Sequence, residues 1–129
     1  MTVTQRNGPV MEQTTAEEIV AHNAPFSSHF RDDSFLGRLH EEWVWDEGAF
    51  ARLNQAITCL THHKCQDATI RAQAFDIFSY IMSVALLSHC NPEDLYRIAN
   101  MDTELFWARR EEVQRVFDHF LGSWQFRQA

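Results

Sequence analysis

Apolar residues return at three- and four-residue steps through most of this chain, the period of helices that bury one face. The step is cleanest at Phe50, Leu53, Ile57 and Leu60, and Asp46 stands just ahead as an N-cap. Further upstream, Phe35, Leu36, Leu39 and Trp43 repeat at similar steps behind Asp32 and Asp33, which are placed to cap that helix. Gly37 lies within it and costs about 1 kcal/mol in propensity, so close packing has to compensate. A shorter helix is expected from Thr14, with capping-box spacing to Glu17, an apolar edge at Ile19 and Val20, and an end at Asn23 and Pro25.

Polar residues 62–66 break the pattern, and Asp67 opens a long helix carrying Ile70, Ala74, Ile77, Phe78, Ile81, Val84, Ala85 and Leu86. From Ile77 it is apolar nearly all round, which predicts a central helix surrounded by others. Asn91, Pro92, Glu93 and Asp94 read as the start of a short helix with Leu95, Ile98 and Ala99. Asp102 and Thr103 then cap a last helix whose stripe is Phe106, Val113, Val116, Phe117, Phe120 and Trp124. No alternating strand with a hairpin turn stands out. The expectation is an all-α, compact single-domain bundle of about five or six helices over residues 14–129, behind a flexible lead at 1–13, with short connections favouring antiparallel neighbours.

At 129 residues there is room for one core and not two, and 45% hydrophobic residues place the chain among folded proteins. A formal net charge of −7 repels phosphate backbones and anionic lipid, so direct nucleic-acid binding is disfavoured and basic partners are favoured. Three sparse cysteines and an N-terminus without a basic and apolar leader suit a reducing, cytoplasmic setting. The apolar run at 75–90 contains Asp76 and two serines, falls short of a span, and is expected to be a core helix and not a membrane anchor.

Chemistry is thin. Cys59, His62, His63, Cys65, His89 and Cys90 include residues able to bind zinc, but without paired knuckles a site would need the fold to bring His62 or Cys65 to His89. Histidines ending a helix more simply favour its negative pole. Acid–base pairs can be drawn among Glu41, Glu42, Asp46 and Glu47, yet no nucleophile motif, phosphate loop or dinucleotide glycine pattern accompanies them. The chain is therefore expected to be no enzyme and to need no cofactor or metal.

Residues 32–47 are more informative, because Asp32, Asp33, Glu41, Glu42, Asp46 and Glu47 gather around a single base, Arg38, with Trp43 and Trp45 among them. Carboxylates steer a basic partner and exposed aromatic rings anchor it, which makes these eight residues a candidate protein-binding surface. The competing reading puts Trp43 in the core with Trp45 capping it, and makes the acids a solvated face plus two N-caps.

The strings FLGRLHEEWVWDEGAFARL (35–53) and IFSYIMSVALLSHCNPEDLYRIANMD (77–102) resemble the immunity protein 41 family, small cytosolic antidotes to polymorphic and contact-dependent growth inhibition toxins. The likeness lies in an FLG turn, a histidine, a W-x-W-D stretch, an IFSYI helix and an H-C-N-P-E-D-L-Y helix start, and covers residues 35–120. It implies a protein that neutralises a cognate toxin, an RNase of the EndoU-like kind, by occluding a basic substrate site. Carboxylates would then mimic phosphate, while Trp43, Trp45, Tyr96 or Trp107 would slow dissociation. The alternative is an acidic helical adaptor or regulatory domain for another basic protein.

Overall fold

The computed structural model describes residues 10–122. Over that span the chain is all-α: five helices and, among the described residues, no strand. They are α1 (Gln13–Asn23), α2 (Phe35–Glu42), α3 (Glu47–His62), α4 (Ala68–Cys90) and α5 (Thr103–Leu121). Trp124 and the first nine residues of the expected lead lie outside the described residues.

Three of the starts follow from aspartates. Asp46, Asp67 and Asp102 each accept a hydrogen bond at Oδ1 from the N–H three residues on, satisfying a donor that the first helical turn leaves open. Two starts differ from expectation. α1 begins one residue before Thr14, with Glu12 at the cap position and no side-chain cap bond. At α2 the cap is Ser34, whose Oγ accepts from Gly37 N at 3.0 Å. Asp33 is withdrawn from capping by Arg31, which takes both of its carboxylate oxygens.

The stripe of α3 is buried at Phe50, Leu53, Ala56, Ile57 and Leu60, and α1 and α5 pack on it through Ala16, Ile19, Val20 and Val113, Phe117, Phe120. α4 also packs against α1 and α5, so the four long elements close around one core in the order α1, α3, α5, α4. α2 packs against α1, α3 and residues 80–86 of α4 and contributes Phe35, Leu36 and Leu39. Gly37 is where the chain comes closest: a Cβ there would stand 2.4 Å from the carbonyl oxygen of Asp32. Arg71 closes the far end, donating to the carbonyls of Phe120 and Leu121 at 3.0 Å each, which satisfies and neutralises the C-terminus of α5.

α4 departs from its expected role. It is not surrounded: Phe75, Val84 and Leu87 are exposed, and only 33% of its most apolar 18-residue window is buried. With 23 residues and a mean hydropathy of 1.3 over that window, it is also longer and more apolar than the sequence run implied, enough to cross a membrane by length and composition. Residues Tyr80–Leu86 are π-helical. Bonding from i to i+5 widens the turn and brings Ile81, Ala85 and Leu86 together onto the buried side.

The short helix expected after Pro92 does not form. Asn91 Oδ1 accepts from Glu93 N and Asp94 Oδ1 from Tyr96 N, so the side chains take the donors with which a helix would have started. Further along, Ile98 N donates to His89 Nδ1 and Ala99 N to the carbonyl of Trp43. Residues 91–102 are thus an ordered connection strapped to the ends of α2 and α4.

Candidate interaction surface

The strap decides which way the two tryptophans of the W-x-W-D stretch face. Asn100 holds Trp45 at both backbone groups, accepting from its N–H at 2.9 Å and donating to its carbonyl at 2.8 Å. The Trp45 ring is fully buried, with its centroid 4.8 Å from those of Phe35 and Phe50. Trp45 is therefore a core residue and offers no ring to a partner, which corrects its place among the candidate binding residues. The reading that put Trp43 inside is reversed as well: Trp43 is 41% exposed.

Trp43 ends α2 in the left-handed region, at φ 56°, a conformation that residues other than glycine seldom hold. Two contacts keep it there, and a third fixes the ring that makes one of them. Ala99 N donates to its carbonyl at 2.7 Å, the Tyr96 ring lies 5.1 Å from the Trp43 ring, and Tyr96 Oη donates to the carbonyl of Leu39 at 2.8 Å in the last turn of α2. Burial, with the neighbouring Tyr80 a smaller influence, raises the Tyr96 phenol well above its ordinary pKa, so it remains a hydrogen-bond donor.

Beside this pair, Tyr80 Oη meets His40 Nδ1 at 2.9 Å. Burial first and the charge of Glu41 second raise the Tyr80 phenol. With Tyr80 donating to Nδ1, the Nε2–H of His40 is left toward Glu41, 3.7 Å away. His40, Glu41, Trp43, Tyr80 and Tyr96 thus form one face where the end of α2 meets the π-helical part of α4.

The carboxylates sort into two groups. Arg38 lies between Glu42 and Asp46, at 3.0 and 2.7 Å, and these partners, Glu42 foremost, raise its pKa. The Asp46 carboxyl is held below its usual range, chiefly by the N–H of Ala49 and then by Arg38. Glu47 pairs with Arg109 at 2.9 Å, and Arg109 also reaches Glu112. Asp33 is held low by Arg31. Among the described residues, Asp32 has no ion-pair partner and Glu41 has only His40, so the acidic run presents far less free charge than its composition suggests.

Nothing in the sequence flagged Arg109, Asn100 or Tyr80 as parts of this region, because their partners lie 40 to 62 positions away. The cysteine and histidine residues are dispersed. His89 stacks on Phe106 with centroids 5.7 Å apart and accepts from Ile98 N, Cys65 is buried, and no three His, Cys, Asp or Glu side chains among the described residues converge as a metal site would require. No family model, no curated protein and no solved structure matches the chain.

Proposed function

We propose that this chain is a protein-binding domain, and that its partner is a cognate toxin which it neutralises as an immunity protein in the cytoplasm. The observation that carries the binding role is Trp43, a half-exposed ring held in a strained backbone conformation against Tyr96, with Glu41 next to His40 and close enough to Tyr80 to raise its phenol on the same face. Strain maintained by the Ala99 hydrogen bond and the anchored Tyr96 ring is characteristic of sites that bind, and a pre-positioned tryptophan loses little freedom on docking. The toxin as partner rests on the resemblance of residues 35–53 and 77–102 to the immunity protein 41 family. Net charge of −7 supports a basic target such as an RNase, whose substrate cleft the domain would occlude.

The test is to express this chain with the toxin domain encoded beside its gene and measure both protection of the host cell and binding in solution. Protection, a stable complex, and a loss of about tenfold or more in affinity for Trp43→Ala establish the reading. A failure to protect or bind overturns the immunity role. Binding of unrelated basic proteins with the same dependence on Trp43 would make the chain an adaptor.

A further inference from the structure

A second surface, which shares no lining residue with the Trp43 face, differs from it in electrostatic character. A groove of about 900 Å³ runs over the outer side of α3 between the start of α1 and the middle of α5. Its floor is Ala51, Gln55, Thr58 and His62, which succeed one another at steps of four, three and four and so share one helical face about 16 Å long. Met11 and Val116 supply apolar walls.

The rim is basic. Arg52 and Arg115 are exposed and neither has a carboxylate within ion-pair distance among the described residues, while His62 and His63 stand at one end. Of the two acids present, Glu112 is already engaged by Arg109 and Asn54, leaving Glu12 alone against this positive rim. Among the described residues of a chain of net charge −7, Arg31, Arg38 and Arg109 are paired with carboxylates, Arg71 and Arg97 donate to backbone carbonyls and Arg110 lies over the Trp107 ring, whereas Arg52 and Arg115 have none of these partners and share one groove. Asn54, only 8% exposed, lines the same groove, and its Oδ1 has no hydrogen-bond donor among the described residues.

We propose that this groove is a docking site for an acidic amphipathic helix of a partner protein. The occupant's apolar seam lies on Ala51, Thr58, Met11 and Val116, and its carboxylates meet Arg52 and Arg115. Length favours a helix over a small ligand: three turns of α3 are open along their whole face, and a helix of about 11 residues matches that run. This partner differs in charge from the basic target of the Trp43 face, so the two sites are independent.

The probe is a capped synthetic peptide of about 14 residues with leucines at helical spacing and glutamates between them, titrated into the ¹⁵N-labelled full chain. The expected result is that the amides of Ala51, Gln55 and Thr58 shift, and that the Arg52→Glu/Arg115→Glu double variant weakens binding at least tenfold, about 1.4 kcal/mol. Both arginines are exposed, so the helical circular dichroism of that variant should be unchanged. Thr58→Trp, which fills the floor without touching the charges, should also block binding. The proposal is overturned if no shifts occur, if a lysine-for-glutamate peptide binds as well, or if the shifts centre on Trp43 and Tyr96. It is equally overturned if the chain self-associates and Thr58→Trp dissociates it, since the occupant would then be a second copy.

Discussion

Trp43 and Trp45 are two positions apart and perform opposite tasks, and a pair of truncations separates them. Trp45→Ala empties a site enclosed by Phe35 and Phe50 and should cost about 3–5 kcal/mol in urea unfolding followed by circular dichroism. Trp43→Ala, at a half-exposed site, should cost well under half of that while damaging binding. Gly37 provides a second contrast. Replacing a glycine inside a helix by alanine ordinarily stabilises by up to about 1 kcal/mol, but at Gly37, in the first turn of α2, the new methyl would collide with the Asp32 carbonyl. Gly37→Ala should therefore destabilise by about 1–3 kcal/mol, as overpacking does. The packing demanded by a glycine in this helix was legible in the sequence; its neighbour, the preceding backbone, was not.

His89 supplies a pH dependence. Its pKa is lowered, first by burial and then by Arg97, and its Nδ1 has to be unprotonated to accept from Ile98 N. A folded pKa below the unfolded one means that this contribution is complete above the ordinary imidazole value near 6.5 and is lost as pH falls through the lower folded value. Intrinsic amide exchange slows toward acid, so the strap should show the reverse: the protection factor of the Ile98 amide should drop as the pH falls from the ordinary imidazole value near 6.5 through the lower folded one. A flat protection factor through that range, or one unaltered by His89→Ala, would dissociate the strap from this histidine.

Helix starts at Asp46, Asp67 and Asp102 obey the same local rule, and for this reason all three were legible. Their energetics should nevertheless differ. Asp67→Ala should cost about 1 kcal/mol as the loss of a cap, whereas Asp46→Ala also removes a partner of Arg38 and should cost more in the same thermal-melt series. Because Asp46 is held below the usual carboxylate range, its stabilisation is present above the unfolded value near 3.9 and disappears as pH falls through the folded one, so the difference between the two variants should shrink in acid. The strap over 91–102 and the π-helical turn of α4 were not legible. An Asn-Pro-Glu-Asp run has the same composition whether it begins a helix or closes two Asx turns, and only the waiting acceptors at Trp43 and His89 favour the turns.

Across the whole molecule, net charge steers an encounter while paired carboxylates serve the fold. Changing Glu41, Glu42, Asp46 and Glu47 together to lysine, an obvious test from composition, would strand Arg38 and Arg109 beside like charges and remove a cap. Glu41→Lys alone touches none of those pairs. It should leave the melting temperature within a degree or two, lower the association rate for a basic partner, and reduce the dependence of that rate on salt. An association rate unaffected by this change would remove Glu41 from the binding face.

The sequence by itself determined the all-α class, the period and buried stripes of α3 and α5, three of the helix starts and the excess of negative charge. Each of these is fixed by residues within one or two turns of one another, or by a simple sum over the chain. Only the tertiary structure decided which tryptophan faces outward, which carboxylates are already neutralised, how far α4 is left uncovered, and where, among the described residues, Arg52 and Arg115 stand without partners. Those outcomes depend on pairings such as Arg109 with Glu47 and Asn100 with Trp45, more than 50 positions apart, which no local pattern encodes because the bundle must close before the groups can meet.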